Sequence, residues 1–110
     1  MKLGARTPEE LETLFEDALL IRDHSGVREL FEHDGVLAIQ QPEDVARGSD
    51  IARLATRLAA NDLGYVAQPR RVLQARDIAL VVGDRAVNVA IRVDGNWRYA
   101  IALLDTNSGG

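Results

Sequence analysis

RAVNVAIRVDGNWRYAIALL, residues 85–104, is two apolar runs joined by Asp94-Gly95. Asp-Gly between β-branched and aromatic residues is a strong hairpin signal, because a two-residue type I′ turn needs positive φ at both central positions. The stretch therefore predicts two antiparallel strands, Arg85 to Val93 and Asn96 to Leu104. With a two-residue loop, Val93 faces Asn96, Arg92 faces Trp97, Ala90 faces Tyr99 and Asn88 faces Ile101. Strict alternation then puts Trp97, Tyr99, Ile101 and Leu103 on one face, opposite Ala86, Asn88, Ala90 and Arg92. The other face carries Val87, Val89, Ile91 and Val93, opposite Ala100 and Ala102. Neither face is polar, whereas a sheet wetted on one side alternates cleanly. Helices can cover one face. The other is expected to meet a second copy, a ligand or a partner, and a homodimer through the sheet is the favoured reading.

The elements around this hairpin follow from turn chemistry and periodicity. Gly83-Asp84 reads as a two-residue hairpin turn after a strand from Ile78 to Val82. A further strand spans Val66 to Arg76, with Pro69 at an edge or a bulge because proline cannot donate to a ladder. Upstream, Thr7-Pro8-Glu9-Glu10 is a capping box with proline at the first helical position. Leu11, Leu14, Phe15, Ala18 and Leu19 follow at helical spacing, and Leu20 and Ile21 widen the stripe toward burial on more than one side. A short second helix carries Val27, Leu30 and Phe31 and stops near Asp34-Gly35. A strand from Val36 to Gln40 and a loop from Pro42 to Gly48 lead to a third helix starting at Ser49-Asp50, with Ile51, Leu54, Ala55 and Leu58 on one face. Asn61-Asp62-Leu63-Gly64 ends it. The expected class is α+β: three N-terminal helices and a mainly antiparallel sheet in one domain over residues 1–110, with loose ends at 1–6 and 105–110.

Composition narrows the chemistry. The 110 residues carry a formal net charge of −4 and no cysteine. Disulfides, thiolate nucleophiles and Cys-ligated metals are excluded. An acidic surface repels nucleic acid unless a basic patch compensates, and Arg70 and Arg71 point to opposite faces of their strand. No apolar run is long enough to span a bilayer, and Met1 to Arg6 lacks the apolar core of a signal peptide, so a cytoplasmic protein without a membrane partner is expected. There is no Gly-rich phosphate loop, no Gly-x-Ser-x-Gly elbow and no metal motif around His24 or His33. Neither a cofactor nor a metal is expected.

Three passages resemble the SnoaL-like branch of the nuclear transport factor 2-like superfamily. Leu30-Phe31-Glu32-His33-Asp34-Gly35-Val36 is similar to its passage from second helix to first strand. Arg47-Gly48-Ser49-Asp50-Ile51 is similar to its lead into the third helix, and Gly95-Asn96-Trp97-Arg98-Tyr99 to its last hairpin. With the order of helices and strands, the similarity covers nearly the whole chain, roughly Thr7 to Leu104. The resemblance implies helices and a curved sheet enclosing a cone-shaped pocket, often in a dimer. The family includes ketosteroid isomerase, cyclases and dehydratases as well as non-catalytic association domains, so fold does not fix function. The isomerase's general-base aspartate would fall at or beside Ile39-Gln40, and neither residue can take a proton from carbon. Its oxyanion-hole acid would fall near Asn88-Val89. A non-catalytic dimeric binding or association module with a small or filled cone is the expectation. The alternative is binding or acid–base chemistry on a small apolar molecule.

Five residues are candidates for the pocket. Asn88 interrupts an apolar strand, and a buried amide must be hydrogen-bonded, to a ligand or to a neighbour. Tyr99 and Trp97 suit an apolar ligand, and equally a core or an interface. Gln40, with Gln41, Tyr65 and Gln68, is placed at a cavity mouth by the resemblance alone. Arg92 is a pocket cation or a cation–π partner of Trp97.

Overall fold

A computed structural model describes residues 4–40, 43–60 and 69–105. Helices α1 (Pro8–Leu20) and α2 (His24–Glu29) precede strands β1 (Phe31–Gln40) and β2 (Glu43–Arg47). Helix α3 (Asp50–Ala60) follows, then β3 (Pro69–Ala75), β4 (Ile78–Gly83), β5 (Ala86–Val93) and β6 (Asn96–Leu104). The strands form one sheet in the order β2-β1-β6-β5-β4-β3. Every neighbouring pair is antiparallel except β1 with β6, which run parallel.

α1 starts as its sequence dictates. Thr7 Oγ1 accepts from Glu10 N–H at 3.0 Å, and Glu10 Oε1 reaches back to Arg6 N–H at 2.9 Å, so two orphan donors are satisfied. Leu11, Phe15, Ala18 and Leu19 face the sheet, buried. Leu20 and Ile21 do not: they are 78% and 71% exposed. The helix ends there, with Asp23 N–H bonded to Ala18 O and Arg22 at φ 59°, so the last two apolar residues turn outward. From α3, Ile51, Leu54, Ala55 and Leu58 complete the helical side of the core. Each fully buried leucine or phenylalanine contributes about 1.5–3 kcal/mol.

The sheet departs from the sequence reading in four places. Phe31 is in β1 and not in α2, because Tyr99 N–H donates to Leu30 O and Phe31 pairs with Tyr99. Residues 43–47 form edge strand β2 where a loop was expected; Ala46, paired with Leu37, is buried. The β4–β5 connection is longer than Gly83-Asp84, since Val82 pairs with Val87. At the other end, Ala5 is buried and pairs with Trp97, so the N-terminal segment is held from Gly4 onward. Two turn readings hold. Asp94 and Gly95 take φ 53° and 83°, and Pro69 lies on edge strand β3 beside a register shift. The ends expected at Asn61–Gly64 and Val66–Gln68 fall outside the described residues.

The largest correction concerns faces. The β5–β6 register is as read from Val93↔Asn96 to Ala90↔Tyr99, then slips at a β-bulge, so that Val89 pairs with Ile101 and Asn88 with Ala102. One extra residue reverses the alternation beyond it. Ala102 and Leu104 therefore point into the core, and Ile101 points out, 47% exposed. The assignment of Ile101 and Leu103 to the face of Trp97 and Tyr99, and of Ala102 to the opposite face, is overturned.

The bulge makes a stability prediction. Ala102→Glu buries an unpaired carboxylate and destabilises by about 3 kcal/mol or more, whereas Ile101→Glu leaves the folded monomer within about 1 kcal/mol. Urea denaturation of the two variants and the parent, at a dilution where all three sediment as monomers, checks this. Equal losses would mean that the bulge is misplaced.

Candidate functional site

Three polar side chains from distant parts of the chain meet under α1. Glu12 lies within the apolar stripe of that helix, between Leu11 and Phe15, and is 2% exposed. Asn88 sits mid-strand in β5, paired with Val81 and Ala102, and is fully buried. Tyr99 lies in β6 at the bulge, between Ala90 and Phe31, and is also fully buried. Asn88 Nδ2 donates to Glu12 Oε2 at 2.9 Å, and the Tyr99 hydroxyl donates to the same oxygen. Two donors converge on one carboxyl oxygen, which fixes the Glu12 rotamer and offsets the cost of burying a group that strongly prefers water.

Apolar rings wall the cluster. Phe15, Phe31 and Tyr99 stand with centroids 6.0, 5.3 and 5.2 Å apart, in edge-on or tilted contact. Low local polarity strengthens each hydrogen bond there and raises the cost of any unmet one. One is unmet: Asn88 Oδ1 is buried with no partner among the described residues. The arrangement offers an oriented carboxyl, a phenol hydrogen-bonded to it and a free amide acceptor.

The sequence candidates divide. Asn88 and Tyr99 come together. Trp97 is buried farther along β6, where its backbone N–H donates to Ala5 O at 2.8 Å. Arg92 lies outside the interior, exposed, bonded to Asp77 through Nε at 2.8 Å, with its guanidinium 5.6 Å from the Trp97 ring centroid. It is the cation–π partner and not a pocket cation. Gln40 is exposed at the end of β1, paired with Glu43, and does not reach the cluster. Gln41, Tyr65 and Gln68 fall outside the described residues. Ile39, one of the two residues at or beside which the resemblance would put an isomerase base, is buried and apolar. Among the described residues no group of three or more His, Asp or Glu side chains is placed to hold a metal.

Glu12 is the residue that sequence reasoning missed. Its signal was present. Positions 8, 11, 12, 15, 18 and 19 of α1 are the buried ones, so Glu12 stands where an amphipathic helix requires an apolar residue. A lone acid on a buried stripe needs donors from elsewhere in the fold.

No family model matches this sequence, and no curated protein matches it. Solved structures do match. A calcium/calmodulin-dependent protein kinase type II association-domain-like protein from Thiobacillus denitrificans aligns with a TM-score of 0.75 at 16% identity, over 94% of this chain and 98% of that one. An NTF2-like protein with a cystatin-like fold from Novosphingobium aromaticivorans gives 0.69 at 21%, over 93% and 80%. A ketosteroid isomerase-like protein from Erwinia carotovora atroseptica gives 0.67 at 21%, over 88% and 91%. The fold is therefore the nuclear transport factor 2-like α+β fold that the local motifs resembled. At these identities the likeness extends to the fold and no further.

The cluster predicts coupled energetics. Tyr99→Phe and Asn88→Ala each destabilise by about 1–3 kcal/mol, and the double variant by less than their sum, because both donors serve one oxygen. A double-mutant cycle in urea measures this, and strict additivity would contradict a shared acceptor.

Proposed function

We propose that the protein is a homodimeric binding or association module, joined through the sheet face that the helices leave uncovered, with its interior filled around Glu12, Asn88 and Tyr99. The observation that carries this reading is a pair of apolar rows across the sheet. Leu73, Leu80, Val89, Ile101 and Val36 lie in register over five strands. Beside them run Val82, Val87, Leu103, Ala38 and Val45. Leu73, Val87, Ile101 and Val45 are each 42–49% exposed. Monomers seldom leave so continuous an apolar surface wet, and a stable dimer needs about 800 Å² from each partner. The likeness to an association-domain-like structure over nearly its whole length supports the same reading. The module needs no cofactor, nucleic acid or membrane. No described helix is long and apolar enough to cross a bilayer.

One observation favours a second reading, binding of a small apolar molecule in the cone with acid–base chemistry on it. Asn88 Oδ1 is a buried acceptor without a donor, and a ligand hydroxyl or amide would satisfy it. Glu12 would then be the proton-transfer group and Tyr99 its orienting donor. Against it, the resemblance would put an isomerase's base at or beside Ile39-Gln40, and neither residue can take a proton from carbon.

Native mass spectrometry and sedimentation velocity test both. A dimer without a retained small molecule is expected. Ile101→Arg should convert it to a folded monomer at about 20 μM, by introducing a charge at the centre of the interface. A wild-type monomer at that concentration would remove the first reading, and a stoichiometric small molecule lost on Asn88→Ala would establish the second.

A further inference from the structure

The outward face of the sheet carries an apolar hollow of about 400 Å³ over β3, β4 and β5. Leu73, Ala75, Ile78, Leu80 and Val89 line it. The registers Leu73↔Leu80, Leu80↔Val89 and Ala75↔Ile78 put these side chains on the face away from the helices. The hollow stops at Val89. Ile101, the next residue across, follows the unpaired Ala100 of the β6 bulge, is 47% exposed and takes no part in the lining. Val36 continues the row on β1. One row of residues is therefore hollow over half of the sheet and carries Ile101 over the other half. The midline of the sheet falls between the halves, between β5 and β6.

An unfilled apolar hollow forfeits packing contacts on one side of its lining. Its occupant is apolar and lies at the level of this row. A second copy turned about an axis along the strands, on the midline, lays β6 on the partner's β5, β1 on its β4 and β2 on its β3. Levels along the strands are kept, so Ile101 comes over the partner's Val89 and Val36 over the partner's Leu80. All six strands are covered in one aligned sheet-on-sheet packing. An axis across the strands lays each strand on its own copy, and Ile101 then stays over β6 and does not reach the hollow.

Charge agrees with the axis along the strands. Arg85 and Asp105 are exposed neighbours, joined by Asp105 N–H to Arg85 O at 2.7 Å. Alternation from Val87 and Leu103 puts both side chains on the outward face. The same rotation sets Arg85 over the partner's Asp105, twice in each dimer.

We infer that the second copy docks about a two-fold axis along the strands, between β5 and β6, so that Ile101 of each protomer seats in the hollow of the other. This rests on the homodimer reading above and adds how the two copies fit.

The chain has no cysteine, so one introduced thiol carries one spin label. Arg47→Cys on β2 and Arg71→Cys on β3 are exposed edge positions. In dimers of either variant alone, the two labelled backbones should lie about 24 Å or more apart, five strand spacings. In mixed dimers of the two variants they should lie within about 15 Å, since the sheets face each other about 10 Å apart. A second readout uses charge. Arg85→Glu and Asp105→Arg each set like charges across the dimer, and mixing the two variants restores both pairs. Native mass spectrometry of the mixture should show the mixed dimer at least about fivefold over either parent dimer, against about twofold for random pairing. Long and short distances exchanged, or random pairing of the charge variants, would overturn this geometry and leave the dimer standing. A wild-type monomer at about 20 μM would remove both.

Discussion

The extra residue in β6 is the constraint on which the rest of the sheet turns. A strand presents alternate residues to alternate faces, so Tyr99 and Ala102 share a face only if one residue between them is unpaired. The break in β6 falls at the level of a break in β1, where pairing jumps from Phe31↔Tyr99 to Val36↔Ile101. The β1 carbonyls freed by that jump, Phe31, Glu32 and His33, are those that Arg28 collects. Gly35 closes the gap, where an added Cβ would stand 3.0 Å from both Glu32 O and Tyr99 O. Two irregular strands thus fit together, and α2 supplies the cation that satisfies their loose backbone groups.

That local geometry places the interior polar cluster. The bulge turns the Tyr99 ring under α1, where its hydroxyl meets Glu12, and leaves Ala102 beside Asn88 on the same face. Burying a carboxyl, an amide and a phenol is unfavourable piece by piece and tolerable only as a connected set. The set is also specific. Sliding β6 by one residue relative to β5 would carry Tyr99 away from Glu12 and strand a carboxyl in apolar surroundings. The cluster therefore penalises the bulge-free register that the sequence pattern would otherwise allow.

Much of the fold was legible for physical reasons that can be named. The Thr7 cap, the Asp94-Gly95 turn and the stripes of α1 and α3 are local signals, and each appears where its chemistry put it. β2 was not legible, because Glu43–Arg47 carries one buried side chain and takes its strand form from pairing with β1. The start of β1 was misread as helix because Phe31 continues the spacing of Val27 and Leu30, while its pairing partner lies 68 positions downstream at Tyr99. Of the site, Asn88 stood out as a polar group in an apolar strand and Tyr99 as an aromatic wall, its hydroxyl not being read as a donor. Arg92 and Gln40 were drawn toward the pocket by assumed alternation and by the fold resemblance. Glu12 was hidden by the habit of reading a helical glutamate as solvated.

The two sheet faces differ in how far their apolar residues are covered. The face under the helices carries Ala79, Ala86, Ala90 and Ala102, all buried. The face away from them carries Ile78, Leu80, Val87 and Ile101, all more than a third exposed. The inner face also carries Leu37, Ile39, Val81, Trp97 and Tyr99, all buried, so large apolar residues stand on both faces, whereas a sheet wetted on one side alternates cleanly. Small residues inside make sense if the space above them is taken by Phe15, Phe31 and Tyr99 from neighbouring elements, whose rings fill more volume than any one strand position supplies. Large residues outside forfeit part of their burial energy while that face is wet. The distribution thus assigns packing to the inner face and leaves the outer one apolar, with Ile78, Leu80, Val87 and Ile101 each more than a third exposed.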